Sequence, residues 1–228
     1  MEFNYKAFIV IDGTDGSGKS TQAKSLVSYL QSQGKKAVYI HFPNYDDHPG
    51  MAIKTMLSGK YGETADDVNM YAASIMYTVD RYCALHGDYK KYFTDPDMII
   101  VSDRYMSSNL IHQGAKIVND YTGDKLMALS TELNQYHKWL YELEVGKCGL
   151  PEPDKMIYLS IHPEDAVERM DKMGKDRDIH EQLEFVKRSY YVGKYYAHYL
   201  YWDIIDANKT ENEVFGNLVD IMEDILED

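Results

Sequence analysis

The sequence is poor in cysteine and in basic residues. Only two cysteines, Cys83 and Cys148, occur among 228 residues, and they lie far apart and in no metal-binding pair. Without a disulfide framework, the chain is expected to hold two free thiols in a reducing compartment. Lysine and arginine total 24 against 37 aspartates and glutamates, which gives a net charge of -13. This charge excludes DNA from most of the surface and confines phosphate recognition to a local pocket.

Long apolar runs are also missing. The N-terminal segment has no charged stretch followed by a long apolar one, and its apolar run, Ala7 to Ile11, has only the length of a strand. No stretch approaches the roughly 20 apolar residues that a membrane span requires. We therefore expect a soluble, cytoplasmic protein. Hydrophobic residues make up 44% of the chain, which is enough to bury a core.

Short apolar runs alternate along the chain with longer helical patterns, and the length fits one domain, residues 1–228. The runs are Ala7–Ile11, Ala37–His41, Met98–Ser102, Lys155–Ser160 and Tyr201–Asp206. The helical patterns are Lys19–Gln33, Thr64–Leu85, Gly123–Leu143, Pro163–Met173, Ile179–Leu200 and Glu211–Ile225. This alternation predicts an α/β fold whose parallel sheet is covered on both faces and binds ligands at the carboxyl ends of its strands.

Two of these helices carry capping signals. Gly34 follows the first helix as a C-terminal cap. Thr64 is expected to cap the free N–H groups at the start of Thr64–Leu85. Asp66 and Asp67 would suit the positive end of that helix.

A glycine-rich segment follows the first apolar run. Residues 13–20 read Gly-Thr-Asp-Gly-Ser-Gly-Lys-Ser and match the pattern G-x-x-x-x-G-K-[ST]. Its glycines let backbone N–H groups turn inward around phosphate oxygens, and the helix that follows offers its positive end. Lys19 supplies a point charge to the outer phosphates, and the Ser20 hydroxyl can ligate Mg²⁺. The residues predicted to bind ATP are Gly13, Asp15, Gly16, Ser17, Gly18, Lys19, Ser20 and Thr21.

A carboxylate follows the third apolar run. Asp103 would face the magnesium ion directly or through water, although it could instead cap the next helix. Met106 stands where the D-x-x-G motif of a GTPase requires glycine. The segment Asn208-Lys209-Thr210-Glu211 approximates the guanine-reading motif N-K-x-D, but it has glutamate, Glu211, where the motif requires aspartate. We interpret this segment as the edge of an adenine pocket and keep a nucleotide-hydrolysing switch protein as an alternative.

An ordered set of motifs resembles the thymidylate kinases, which are nucleoside monophosphate kinases with a P-loop. The set comprises an acid inside the P-loop, Phe42-Pro43, Tyr77 with Asp80-Arg81, Asp103-Arg104-Tyr105, and then Ser108, Asn109 and Gln113. A charged segment, residues 172–181, resembles the family's mobile lid. The resemblance implies a P-loop NTPase fold with a five-stranded parallel sheet, ATP-dependent conversion of dTMP to dTDP with Mg²⁺, and a homodimer.

The resemblance also implies roles for individual residues. Tyr77 and Arg81, four apart on one helix, would reach the same base: Tyr77 would stack, and Arg81 would donate to the 4-keto oxygen of thymine. Arg104 would hold the acceptor phosphate, and Asp15 would take the 3′-hydroxyl group of the sugar. The other predicted acceptor residues are Phe42, Tyr45, Ser108, Asn109, His112 and Gln113.

The lid is implied to supply a further positive charge. The interior of the P-loop holds no cation besides Lys19, so a lid residue would have to neutralise the transferring phosphoryl group. Lys172, Lys175 and Arg177 form a cationic cluster there, and Arg177 is our prediction. The catalytic set would then be Lys19, Asp103, Arg104 and Arg177.

Three positions depart from the family pattern. Asp12 stands where many members have glutamate, and Asn44 stands where some have an arginine near the acceptor phosphate. His112 stands where some bacterial members place a tyrosine against the 2′ position, which leaves rejection of ribonucleotides open. A kinase for another nucleoside monophosphate also stays open. A deoxynucleoside kinase would need a base after the second strand, where the sequence offers no acid before Asp46.

Overall fold

The computed structural model describes residues 2–45, 48–119, 121, 128–172 and 182–226. Its strands are β1 (Ala7–Gly13), β2 (Ala37–His41), β3 (Ile99–Asp103), β4 (Lys155–Ser160) and β5 (Asp203–Asp206). They form one parallel sheet in the order β2-β3-β1-β4-β5. The predicted five-stranded α/β architecture is therefore confirmed. β1 lies at the centre, so its carboxyl end delivers the glycine-rich loop to the middle of the sheet.

Helices cover both faces of this sheet. They are α1 (Lys19–Ser32), α2 (His48–Leu57), α3 (Met70–His86), the composite α4, α5 (Ser130–Tyr141), α6 (Pro163–Lys172), α7 (Leu183–Tyr199) and α8 (Glu211–Leu226). α4 consists of an α turn, Met106–Ser108, a π turn, Asn109–Gln113, and a 3₁₀ turn, Gly114–Ile117. A further π turn, Glu142–Lys147, continues α5. Among the described helices, none has the length and apolar character that crossing a bilayer requires.

The core divides between the two faces because successive residues of a strand point in opposite directions. Ile9 and Ile11 of β1 pack in one cluster with residues of α1 and α8, including Leu26 and Leu218. Phe8 and Val10 pack in the other cluster with the loop residues Phe93 and Tyr105. Tyr105 lies two residues after the end of β3, so this second cluster supports the segment that carries several predicted site residues.

The predicted boundary at Thr64 is wrong. Thr64 and Asp67 form a capping box around a short 3₁₀ turn, Ala65–Asp67, which does not continue into a helix. Val68 is extended, and α3 begins only at Met70, where the Asn69 side chain accepts hydrogen bonds from two backbone N–H groups. The cap at Gly34 is confirmed: its φ of 76° is left-handed, and its N–H group bonds the Gln31 carbonyl at 3.0 Å.

Other differences concern irregular turns and the ends of individual elements. α2 and α4 were not predicted as helices, and the π and 3₁₀ turns of α4 break the 3.6-residue period on which such predictions rest. β5 begins at Asp203 and not at Tyr201, because Tyr201 has a left-handed φ of 55°. The predicted starts of the helices Gly123–Leu143 and Ile179–Leu200 lie outside the described residues.

Candidate active site

The glycine-rich loop packs directly against neighbouring backbone. Gly13 has a φ of 154°, and a Cβ atom there would lie 2.5 Å from the carbonyl oxygen of Leu159. Gly16 has a φ of 80°, and its Cβ atom would come closer still to the carbonyl oxygen of Ala166. Both positions therefore require glycine for space as well as for conformation. The loop is held between the end of β4 and the first half of α6.

The loop gathers a cation and two hydroxyl groups. Lys19 Nζ donates to the carbonyl oxygen of Thr14 at 2.9 Å and lies 3.7 Å from Asp15 Oδ1. Burial, and then the nearby charge of Arg104, lower the pKa of Lys19. The hydroxyl oxygens of Thr14 and Ser17 are buried and make no hydrogen bond to any described residue. A phosphate group would satisfy both hydroxyls, so Thr14 joins the residues that the sequence identified.

The end of β3 offers ligands that suit magnesium. Ser20 Oγ and the Tyr39 hydroxyl, the latter at 3.2 Å, both donate to Oδ2 of Asp103. Oδ1 of the same carboxylate is buried and has no hydrogen-bond partner within the described ranges. Magnesium takes a few carboxylate or hydroxyl oxygens together with phosphate and water oxygens, so Ser20 and Asp103 fit it. Burial and the Asp103 carboxylate raise the pKa of Tyr39, which keeps its phenol a donor.

A groove on one side of the loop is lined by the loop glycines Gly16 and Gly18 and by Arg169, Lys172 and Lys209. Arg169 Nη2 donates to the carbonyl oxygen of Ala207 at 2.9 Å, which fixes the guanidinium group at the groove wall. Arg169 was not predicted from the sequence, since it lies in an ordinary amphipathic helix. The groove therefore borders the loop glycines with cationic side chains.

The segment that approximates N-K-x-D has a structural role. Asn208 Nδ2 donates to Asp206 at 2.6 Å, while its Oδ1 accepts the backbone N–H group of His162 at 3.0 Å. Thr210 and Glu213 bond one another at the start of α8. Asn208 therefore joins two loops. Both ends of its side-chain amide already form hydrogen bonds, whereas recognition of guanine would require that amide to contact the base.

A cavity opens on the other side of the loop, bounded by the segment after β2, by α3 and by α4. It brings together all of the predicted acceptor residues. Its lining consists of Asp15, Phe42, Pro43, Tyr45, Leu57, Tyr77, Arg81, Arg104, Tyr105, Ser108, Asn109, His112 and Gln113. Pro43, Leu57 and Tyr105 were not among the predicted residues.

Arg104 occupies the junction between the loop and this cavity. Its φ of 69° is left-handed, and its backbone is held by hydrogen bonds to the carbonyl oxygen of Ile11 and from the Ser102 hydroxyl. Its guanidinium group pairs with Asp15 and reaches His112 Nε2 at 3.1 Å. Burial alone would lower the pKa of Arg104, but Asp15 and other carboxylates outweigh it and raise the pKa. A positive φ at a bulky residue is costly, and such strain clusters at functional sites.

Asp12 anchors α4 to β1. Its fully buried carboxylate accepts hydrogen bonds from the Gly13 N–H group and from the hydroxyl groups of Ser107, at 2.6 Å, and Ser108. Burial raises the pKa of Asp12, and the Arg104 charge offsets this only in part. The contact positions Ser108 on the wall of the acceptor cavity. Sequence reasoning noted Asp12 as a departure but did not foresee this role.

Arg81 lies at the far end of the cavity and is paired with a carboxylate. It is 1% exposed, and its Nε and Nη2 atoms both donate to Glu144, which is fully buried. The Tyr105 ring lies 5.9 Å from the guanidinium carbon. A buried arginine needs a partner, but the sequence alone does not identify Glu144, because nothing distinguishes this glutamate from its neighbour Glu142.

The remaining predicted residues differ in burial. Phe42 is buried and packs against the rings of Tyr89 and Tyr105, whereas Tyr45 is 41% exposed at the cavity rim. Gln113 is fully buried, and its amide atoms make no hydrogen bond to the described residues. Lys175 and Arg177 of the predicted lid lie outside the described residues, and Lys172 ends α6.

Comparison with known proteins identifies the family. The family model for thymidylate kinase matches residues 11–217. The chain is 28% identical to thymidylate kinase from Plasmodium falciparum over 212 residues, which cover 93% of this chain and 87% of the relative. It is 30% identical to thymidylate kinase from Mycobacterium tuberculosis over 165 residues, 71% of this chain and 69% of the relative. The Danio rerio thymidylate kinase is 24% identical, with 96% and 91% covered.

The chain belongs to the thymidylate kinase family. The resemblance inferred from the motifs is thus confirmed, and the switch-protein alternative is not favoured. Two departures from other thymidylate kinases now have a structural setting. His112 contacts Arg104, and the backbone N–H group of Asn44 bonds both carboxylate oxygens of Asp80 at 3.1 Å. Asp80 therefore holds the segment after β2 by its backbone, whatever side chain position 44 carries.

Proposed function

We propose that the protein transfers the γ-phosphoryl group of ATP to dTMP, with Mg²⁺, in one domain comprising residues 1–228. One observation carries the proposal: Asp15 contacts both Lys19 of the phosphate loop and Arg104 of the acceptor cavity. The groups that would hold the donor and acceptor phosphates are therefore separated by a single side chain. Such closeness is what direct transfer requires, since the reacting groups must be aligned without water between them.

Catalysis at this site rests on alignment and charge. The acceptor phosphate is already anionic at neutral pH, so no general base has to remove a proton. Lys19 and Arg104 would neutralise the charge that spreads over the passing phosphoryl group. Magnesium, held through Ser20 and Asp103, would supply further positive charge when bound. Asp15 would exchange its contact with Arg104 for the sugar hydroxyl group as the acceptor phosphate binds.

The opposite end of the cavity would read the base. Tyr77 would stack on thymine above the floor formed by Phe42, and Arg81 would donate to its 4-keto oxygen. Ser108, Asn109 and Gln113 would line the sugar and the base edge, and Tyr45 would approach from the rim. His112, beside Arg104, would face the sugar.

A lid over residues 172–181 would complete the site. Arg177 is our candidate for the cation that closes over the phosphoryl group, because the interior of the loop offers only Lys19. Arg177→Ala should lower kcat more than it raises KM for dTMP. Equal activity in that variant would exclude this assignment.

We further expect a cytoplasmic homodimer. Exposed apolar side chains recur along one face of α3, at Tyr71, Ile75, Val79 and Tyr82. Tyr71 also contacts the ring of Trp139 on α5, which extends the patch. A stripe of this kind supports pairing with a second copy of the same helix. Sedimentation equilibrium tests this: a mass of 26.4 kDa at micromolar concentration would contradict the dimer.

The decisive experiment follows ADP release from MgATP with each nucleoside monophosphate in turn. Turnover should depend on the acceptor, be fastest with dTMP and be poor with dCMP. Thymidine serves as a control that has the same base and sugar but no phosphate. If thymidine is the better acceptor, the protein is a nucleoside kinase, and if no monophosphate raises the rate above background, the proposal fails.

A further inference from the structure

A buried carboxylate connects the groups at the base end of the cavity. Glu144, on the π turn that continues α5, accepts hydrogen bonds from three side chains. Arg81 donates twice, Thr78 Oγ1 donates at 3.0 Å, and Asn109 Nδ2 donates at 3.4 Å. Two of these three residues, Arg81 and Asn109, line the cavity, whereas Glu144 and Thr78 do not. Glu144 is thus placed behind the wall that faces the base.

The position of Glu144 fixes which atom Asn109 turns toward the cavity. Asn109 Nδ2 lies within 3.4 Å of two acceptors, Glu144 Oε1 and the carbonyl oxygen of Ser74. Both neighbours can only accept, so the amino group of the amide must face them. Its carbonyl oxygen is then the atom left for the cavity, and it is a hydrogen-bond acceptor.

The same carboxylate determines how Arg81 is presented. Nε and Nη2 of the guanidinium group are held by Glu144 in a fork, and Nη1 donates one of its two N–H groups to the carbonyl oxygen of Tyr105 at 3.4 Å. The guanidinium group therefore presents its remaining donor capacity to the cavity from a fixed place. Gln113 contrasts with both residues, because neither atom of its amide is held by a described residue. Gln113 can rotate to suit either polarity and cannot discriminate.

We propose that Glu144 is a positioning residue that sets base specificity by holding Arg81 and Asn109 in one orientation. The wall then shows a donor beside an acceptor, which matches the 4-keto oxygen and the N3–H group of thymine. Cytosine presents an amino group and a bare N3 at those positions, so both contacts would be mismatched. This inference rests on the proposed function. It adds that the discrimination is set by a residue that does not touch the substrate.

The test compares dTMP with 5-methyl-dCMP, which keeps the methyl group and reverses only the two hydrogen-bonding positions. Glu144→Gln retains the shape but removes the charge and supplies an amino group, which weakens the fork on Arg81 and takes away one of the two acceptors that orient the Asn109 amide. The ratio of kcat/KM for dTMP to that for 5-methyl-dCMP should fall by about tenfold or more, since sites built around hydrogen bonds lose discrimination when their polarity is lost. A folded variant with an unchanged ratio would overturn the proposal.

Thr78→Val is the matched control. It removes a hydrogen bond to the same Glu144 oxygen but leaves Arg81 and Asn109 held. It should lower the melting temperature and leave the specificity ratio unchanged, so a purely structural effect of losing contacts can be recognised. If Thr78→Val moves the ratio as much as Glu144→Gln does, specificity responds to general loosening and the proposal fails.

Asn109→Ala provides an independent test of the inference if the Glu144→Gln variant does not fold. If the carbonyl oxygen of Asn109 faces the base, the variant loses the partner of N3–H, and the ratio falls. If the amino group faces the base instead, its removal raises the ratio, which would refute the inference. The wild-type protein distinguishes failure of this inference from failure of the proposed function. If the wild type does not turn over dTMP, the proposed function is wrong. If the wild type is active but the variants leave the specificity ratio unchanged, only the role of Glu144 is wrong.

Discussion

The phosphate loop and the acceptor cavity differ in how their polar groups are satisfied before a substrate binds. In the loop region, the hydroxyl oxygens of Thr14 and Ser17 and one oxygen of Asp103 are buried and make no hydrogen bond to the described residues. In the cavity, both arginines are already paired, Arg104 with Asp15 and Arg81 with Glu144. Binding at the loop adds hydrogen bonds, whereas binding in the cavity has to exchange or extend existing ones.

This difference indicates where the enzyme is selective. A loop that mainly gains contacts discriminates weakly among the triphosphates that fit, because apart from those of Lys19 few existing contacts have to be exchanged on binding. A cavity whose charges are already paired favours a ligand that restores every pairing, since a mismatched ligand leaves a buried charge or polar group unsatisfied. Choice of acceptor should therefore be stricter than choice of donor.

Lys19→Ala should have the largest effect, because it removes the one cation of the loop. We expect kcat with dTMP to fall by about a thousandfold or more, the upper range for loss of one preorganised charge contact. Single-turnover ADP formation measures this directly. Lys90→Ala, at an exposed lysine that lines neither the loop nor the cavity, is the control and should behave as wild type. Substantial activity in Lys19→Ala would remove the loop from the mechanism.

Arg104→Lys tests whether the paired arginine is needed for its shape. A lysine keeps the charge, but its single ammonium group cannot hold Asp15, His112 and a phosphate together. We expect kcat/KM for dTMP to fall by about a hundredfold, while the KM for ATP changes little. Arg188→Lys is the matched control, since Arg188 pairs with Asp66 outside the cavity. Comparable losses in the two variants would show that general stability is responsible.

Gly16→Ala should destabilise the loop before any ligand binds. The left-handed conformation and the contact with Ala166 both oppose a Cβ atom, and strain of this kind costs about 1–3 kcal/mol. The free energy of unfolding in urea measures the loss. Gly216→Ala, in α8 with no neighbour near its added Cβ atom, should instead stabilise the protein by about 0.5–1 kcal/mol. Equal stability of the two variants would contradict the tight packing described for the loop.

Tyr39→Phe should have the smallest effect, because it removes one donor to Asp103 and leaves Ser20 in place. We expect about tenfold weaker binding of Mg²⁺ in the presence of ADP, which is at the low end for loss of an outer ligand-orienting contact. Isothermal titration of Mg²⁺ into the protein with ADP measures this without relying on turnover. Tyr29→Phe, on α1, is the control. If both variants bind Mg²⁺ as the wild type does, Tyr39 does not orient Asp103.

The same contrast between loop and cavity explains what the sequence could reveal. The phosphate loop is contiguous from Gly13 to Thr21, and its glycines, lysine and hydroxyl groups lie next to one another in the sequence, so a motif is enough to find it. The cavity depends on pairs that are distant along the chain. Arg81 and Glu144 are 63 residues apart, and Arg104 and Asp15 are 89 apart. Lining residues could be predicted by resemblance, but their partners could not.

Local regularity sets a similar limit for the fold. The strands were predicted closely because each is a short, nearly continuous apolar run. α4 was missed because three kinds of turn follow one another within twelve residues, Met106 to Ile117, and no single period describes them. This irregularity brings Ser108, Asn109, His112 and Gln113 all into the cavity wall, so the segment that was hardest to predict also contributes more lining residues than any other element.

The pairing of Arg81 with Glu144 has a consequence for inhibition and resistance. Losing either partner leaves a buried charge, at a cost of about 3–5 kcal/mol. That is a large part of the roughly 5–15 kcal/mol that keeps a protein folded. A compound that anchors on Arg81 would therefore be difficult to evade by a single substitution at either member of the pair. A compound that depends on the exposed ring of Tyr45 could be evaded by one.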